Sequence, residues 1–154
     1  MEFTDYSDAF TSERISLFVR KNSPIQWDDD LNNLSNYKFA RVRGFYSGPL
    51  FEHFLANGTI NLIESTQTIH LLKMLLARRY DIMVEDSNVA LYELNKLGRL
   101  GDIKQLAIIQ EHLSYLGFSK KRNRQSTIEK FNNVLQKMKD DGSYQKIIND
   151  FYQK

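Results

Sequence analysis

Hydrophobic and polar positions change period repeatedly along the chain, and the changes mark its elements. Residues 15–20 (Ile-Ser-Leu-Phe-Val-Arg) are rich in β-branched and aromatic side chains and predict a strand. Residues 21–30 read as turn and loop, with Ser23-Pro24 and the acidic run Asp28-Asp29-Asp30. Leu31 and Leu34 predict a short helical turn before a second strand at 38–43. A loop at 44–48 leads to Pro49, well suited to the first position of a helix reaching about Ala56 and stopped by Asn57-Gly58. Residues 59–64 alternate like a third strand. Ser65 or Thr66 is then placed to cap a helix whose Ile69, Leu72, Leu75 and Leu76 share one face.

The second half continues the alternation. Residues 81–84 predict a short buried strand, 87–97 a helix, 105–110 another strand and 115–119 a further extended piece. Two helices close the chain. One carries Ile128, Phe131, Val134, Leu135 and Met138, the other Tyr144, Ile147, Ile148 and Phe151, with Gly142 as the stop between them. Strands alternating with helices predict an α/β fold, a mainly parallel sheet flanked by helices. No internal repeat, low-complexity tract or flexible linker interrupts the pattern.

Composition narrows the function. A chain of 154 residues holds one proper core. Its 21 basic residues are scattered among 19 acidic ones, which does not make the concentrated basic face of a nucleic-acid binder. The absence of cysteine excludes disulfides, thiolate metal sites and cysteine nucleophiles. No apolar run approaches the roughly 18 residues that span a bilayer, and the first residues lack the basic start and apolar stretch of a signal peptide.

Several residues are candidates for chemistry. Arg43-Gly44-Phe45-Tyr46-Ser47-Gly48-Pro49 joins a strand to a helix N-terminus, where free N–H groups and the helix dipole favour an anion, although taken alone the loop reads more readily as an ordinary strand-to-helix turn. It contains neither nucleotide-binding glycine pattern. Asp86, just past a strand, could accept hydrogen bonds from an ammonium group or cap the helix beginning near Ser87, and the two roles are compatible. Asp81 reads as structural. Lys120, Lys121, Arg122 and Arg124 form a basic cluster best read as a solvated helix face. His53, His70 and His112 have no metal-ligand spacing, and no cofactor motif or catalytic triad is proposed.

The order of these features resembles a known family. Tyr6 to Phe10 followed by a strand ending Val19-Arg20-Lys21 resembles the first interlobe crossing of bacterial solute-binding proteins of the polar amino-acid type. The stretch from Leu31 to Gly44 looks like their "dLkGkkvgvvrG" segment. Leu75 to Asp81 is similar to "L-x-x-G-R-x-D", with Arg78 where glycine is usual, and Phe131 to Tyr144 resembles the closing "fn-x-al-x-x-mk-x-dG-x-y" pattern. The resemblance implies the second lobe of a type II periplasmic-binding fold at residues 18–112. It assigns 1–17 to a first-lobe remnant and hinge crossing, and 113–154 to a returning strand with C-terminal helices of the first lobe. It also implies that Met1 falls where such a protein is already under way, so a fragment impaired in ligand binding is expected.

By the same resemblance, Phe45, Tyr46, Ser47 and Gly48 match a loop whose backbone helps bind a ligand carboxylate. Arg43 matches a position near the ligand that is often basic, and Asp86 matches the carboxylate that holds the α-ammonium. The implied function is the solute-binding component of an ABC-type transporter for amino acids or similar small polar solutes, working with a membrane permease in a periplasmic or other extracytoplasmic location. No catalysis, cofactor, metal or nucleic acid is expected. The alternative is an extracytoplasmic ligand sensor of a signalling protein. An enzymatic role would need a general acid, for which Glu85 is the candidate. Homo-oligomerisation through exposed faces of the last helices is expected of a fragment.

Overall fold

The computed structural model describes residues 3–152. Two compact units emerge, one formed by residues 14–111 and the other by residues before 14 together with those after 111.

The 14–111 unit is built on a five-stranded sheet. Its strands are β2 (Thr11–Arg20), β3 (Lys38–Val42), β4 (Asn61–Ser65), β5 (Ile82–Asp86) and β6 (Ile103–Ser114), in the order β4-β3-β5-β2-β6. Strand β1 (Thr4–Tyr6) belongs to the other unit. Strand β3 pairs in parallel with β4 and β5, whereas β2 enters antiparallel to β5 with Ile15 opposite Asp86. Two links within the unit, Lys21 N–H to the Asp102 carbonyl and Arg14 to Glu111, show β6 running antiparallel to β2. Parallel pairing therefore covers the β4-β3-β5 half of the α/β layer.

Alternation along the strands gives two apolar faces. Ile15, Leu17 and Val19 of β2, Phe39 of β3 and Ile82 and Val84 of β5 pack with Leu31, Leu34 and Phe51 on one side. Phe51 lies on helix α1 (Pro49–Ala56) and meets Phe39 edge-on, with ring centroids 5.7 Å apart, which fixes the helix over β3. On the other face, Phe18, Ala40 and Met83 pack against Leu71, Leu72 and Leu75 of α2 (Thr68–Leu76) and Ala90 and Leu94 of α3 (Ser87–Lys96).

Polar groups tie these layers together. Arg20 donates from Nη1 to the carbonyls of Leu75 and Tyr80 (3.1 and 2.7 Å), satisfying the end of α2. The Tyr80 hydroxyl donates to the Leu71 carbonyl at 2.7 Å. Asp81 accepts from Arg20 Nη2 and from the Lys38 N–H, a structural role joining β2 to β3. The capping expected of Ser65 or Thr66 is not formed. Ser65 completes β4 opposite Val42, so α2 starts two residues later, with Gln67 at the N-cap and no side-chain cap bond.

In the other unit, β1 pairs antiparallel with β7 (Gly117–Ser119), Thr4 opposite Ser119. Helices α4 (Gln125–Asp140) and α5 (Ser143–Tyr152) follow, separated by Gly142 at φ +77°. Ile128 and Leu135 are its buried apolar side chains, while Val134 and Ile147 are more than half exposed.

Candidate functional site: the carboxyl edge of the parallel strands

Because β3, β4 and β5 run the same way, the turns that follow them, 43–48, 65–67 and 86–87, collect at one edge of the sheet. In open α/β sheets that edge is where ligands are held. The first turn is defined by its glycines. Gly44 has φ +76° and Gly48 φ +92°, conformations that side chains resist. A Cβ on Gly48 would also lie 3.1 Å from Gln110 Cγ, so a side chain there would add pressure on Gln110 to the strain of its positive φ.

The rest of the turn is held from inside. Arg43 N–H donates to the Ser65 carbonyl (2.8 Å) and Phe45 N–H to that of Val42 (3.1 Å), while the Phe45 ring packs against the core. Ser47 is buried, and its N–H donates to Glu52 Oε1 at 3.0 Å. Glu52 stands in the first turn of α1, where the helix dipole favours a carboxylate. Arg41 reaches it from β3 at 2.5 Å through Nη1, which also lies 3.4 Å from Ser47 Oγ, and its Nε lies 3.4 Å from Glu64 Oε1. Two side chains of the turn remain open: the Tyr46 ring is exposed, and Arg43 is exposed with a long 3.7 Å ion pair to Glu64.

At the end of β5, Asp86 caps α3. Its Oδ1 accepts the N–H groups of Asn88 and Val89 (2.9 and 3.0 Å), and its Oδ2 accepts Arg14 N–H at 3.2 Å. A carboxylate offers about four lone-pair sites, so the cap leaves it capacity for a further donor. Ser87 and Ser16 hydroxyls meet at 2.6 Å beneath it.

Glu85 alternates to the opposite face, toward α2. Only 3% exposed, it accepts from the Thr68 hydroxyl (2.7 Å) and the Asp86 N–H (3.0 Å). Burial pushes its carboxyl above the ordinary glutamate range; the two hydrogen bonds pull the other way and the Asp86 charge adds to the rise.

The six residues singled out in the sequence thus sit on two turns of one edge: Arg43, Phe45, Tyr46, Ser47 and Gly48 on the first, Asp86 on the adjacent strand's end. Arg41, Glu52 and Glu64 were missed. Alternation carried the signal for Arg41, which shares a strand face with Phe39 and so had to be buried. An open groove of about 600 Å³ begins beside this edge, at Gln67 and Thr68 at the start of α2 and Val89 next to the Asp86 cap, and runs between α2 and α3 toward Glu93 and Lys96. Among the described residues, no three His, Asp or Glu side chains gather as a metal site would require, and no helix is long and apolar enough to cross a membrane.

The profile of the bacterial extracellular solute-binding proteins, family 3, matches residues 1–154. The chain belongs to that family. Its fold is shared with the second substrate-binding domain of a putative amino acid ABC transporter from Streptococcus pneumoniae Canada MDR_19A (TM-score 0.73, 20% identity, covering 99% of this chain and 66% of that one). It is shared likewise with the L-cystine solute receptor of Neisseria gonorrhoeae in its unliganded open conformation (0.76, 17%, 99% and 61%). A third similar structure is a histidine kinase sensor domain with similarity to periplasmic binding proteins (0.64, 20%, 97% and 63%). The chain therefore spans less than two thirds of the length of these structures. No curated protein matches it. The family is one of solute-binding proteins, and the similar structures are a substrate-binding domain, a solute receptor and a sensor domain.

Proposed function

We propose that the chain is the ligand-capturing part of an ABC-transporter solute receptor for amino acids or similar small polar solutes, acting outside the cytoplasm and delivering to a membrane permease. The observation that carries this reading is the family match over residues 1–154 combined with polar turns at the carboxyl edge of β3, β4 and β5. Residues 18–112 supply one lobe. Residues 1–17 and 113–154 supply the crossings and the C-terminal helices of the other.

In this reading Asp86 accepts the ligand's ammonium group with the capacity its cap leaves over. The turn of Phe45, Tyr46, Ser47 and Gly48 faces the carboxylate, with Arg43 as a mobile cation beside it. Hinge closure between the lobes traps the ligand by shifting a pre-existing equilibrium. Capture without catalysis suits the site. Glu85, the candidate general acid, is buried and hydrogen-bonded toward α2 rather than open at the edge.

Calorimetric titration of the exported receptor with the L-amino acids tests the proposal. Saturable binding by at least one of them is expected, and an absence of heat across the set rejects it. The likeness to a histidine kinase sensor domain supports a second reading, an extracytoplasmic ligand sensor. A kinase or other output domain in the same gene selects the sensor; a neighbouring permease gene selects the transporter.

A further inference from the structure

We propose that Arg41 is a positioning residue for the 43–48 turn, acting through the Glu52 carboxylate that receives the Ser47 N–H. The proposal rests on reading that turn as ligand-facing, but its decisive test needs no ligand.

Arg41 is 8% exposed on the apolar face of β3, an unusual place for a guanidinium. One side chain there joins four parts of the site. It contacts Glu52 on α1, Ser47 in the turn and Glu64 at the end of β4, and it stands itself on β3. Buried ion pairs seldom add net stability, because the desolvation cost cancels most of the attraction, and apolar replacements of similar volume often do as well. What the pair supplies is a fixed geometry. Without Arg41, Glu64 keeps Arg43 but Glu52 loses its cation, and its partly exposed carboxylate could turn to water. Ser47 N–H would then lose its acceptor inside a buried segment.

Holding Ser47 also orients the peptide planes on either side of it, because each residue has only two soft backbone dihedrals. Tyr46 and Gly48 are consequently presented to the edge in one arrangement before any ligand arrives. Such pre-organisation reduces the ordering cost that binding would otherwise carry. The chain's own Glu52 occupies the Ser47 N–H, so a ligand carboxylate must find its donors elsewhere on the turn.

Amide hydrogen exchange on the 154-residue chain tests this residue by residue. In Arg41→Met, the Ser47 amide is expected to exchange at least about tenfold faster, as a local opening, while the amides of Met83 and Val84 in β5 keep their rates. Adding Glu52→Gln should restore Ser47 protection, because the neutral amide keeps an acceptor oxygen and loses the charge that draws it to water. Should Arg41→Met fail to fold, Arg41→Lys serves: it keeps the charge, loses the fork and should still speed Ser47 selectively. Unchanged Ser47 exchange, acceleration of β5 in step with Ser47, or no rescue by Glu52→Gln would overturn the proposal. Calorimetric titration with the L-amino acids probes the receptor reading separately. If none binds while the exchange pattern holds, the receptor reading fails and the role of Arg41 in ordering the turn stands.

Discussion

Asp86 and Glu85 are neighbours on one strand with opposite environments, and each makes a distinct prediction. Asp86 satisfies three backbone N–H groups, two of them at the start of α3. Asp86→Ala removes the cap and should cost about 1–2 kcal/mol in urea denaturation. Asn keeps one acceptor oxygen for the Asn88 and Val89 N–H groups but sets its NH2 against the Arg14 N–H, so Asp86→Asn should cost about 0.5–1.5 kcal/mol, less than Asp86→Ala, and stay folded. The asparagine variant separates cap from ligand contact. If Asp86 holds an ammonium group, losing its charge-assisted bond weakens binding roughly ten- to hundredfold in the folded Asn variant; equal affinities by calorimetry would remove Asp86 from the site. Glu85 predicts a pH dependence. Its carboxyl is raised in the folded state by burial, so the native form holds its proton to higher pH than the unfolded chain does. That stabilising contribution is complete below the ordinary glutamate range of about 4.3 and is lost as pH rises through the folded value. The stability difference between Glu85→Gln and the natural chain should therefore shift in favour of the variant from acid to neutral pH and then level off. A difference independent of pH would show that the carboxyl is not raised.

Three helices of the 14–111 unit end in the same way, and one of them does so with the wrong residue. After α1, Gly58 and Thr59 donate to Leu55 and Phe54; after α3, Gly98 and Arg99 donate to Asn95 and Leu94. Both glycines have positive φ, as this terminating motif requires. After α2, Arg78 and Arg79 make the same bonds to Leu75 and Met74, and Arg78 is held at φ +58°. The left-handed conformation costs a residue with a Cβ about 1–2 kcal/mol, offset in part by the greater freedom of glycine in the unfolded chain. Arg78→Gly should accordingly raise stability by about 0.5–1 kcal/mol, read as a higher urea midpoint, and Gly98→Ala should lower it by a similar amount. That departure was visible in the sequence, as were the helices and the Gly142 break, because they depend on local spacing and stop residues. Strand ends were not. Strand β2 begins at Thr11 rather than 15, β5 includes Glu85 and Asp86, and β6 runs from Ile103 to Ser114 rather than 105–110. Strand β1 had no local signal at all, since three residues become a strand only by pairing with Gly117–Ser119. The site divides similarly. The turn and Asp86 follow from strand order, whereas Arg41, Glu52 and Glu64 meet only through the β3–β4 pairing and the packing of α1.

At the scale of the molecule, apolar exposure is concentrated in the unit formed by the two chain ends. Val134 on α4 and Ile147 on α5 are 55% and 56% exposed, and Leu113 and Tyr6 are similarly open. Both helices are strongly amphipathic in sequence, so these are not scattered surface positions but parts of faces that the buried Ile128 and Leu135 do not complete. The sheet unit shows the contrast: both of its faces are covered by helices, and its core side chains are buried. Each exposed aliphatic side chain that finds cover gains about 1.5–3 kcal/mol, and large uncovered patches are the usual cause of association. The 154-residue chain should therefore self-associate as its concentration rises, with sedimentation coefficients that increase across the micromolar range. Val134→Asp with Ile147→Asp should weaken that association by at least about tenfold, since losing even one covered aliphatic side chain exceeds the 1.4 kcal/mol that a decade represents. The sheet unit should be untouched by the pair, because neither residue lies in it. A wild-type chain that sediments as a monomer at every concentration would show instead that these faces tolerate water.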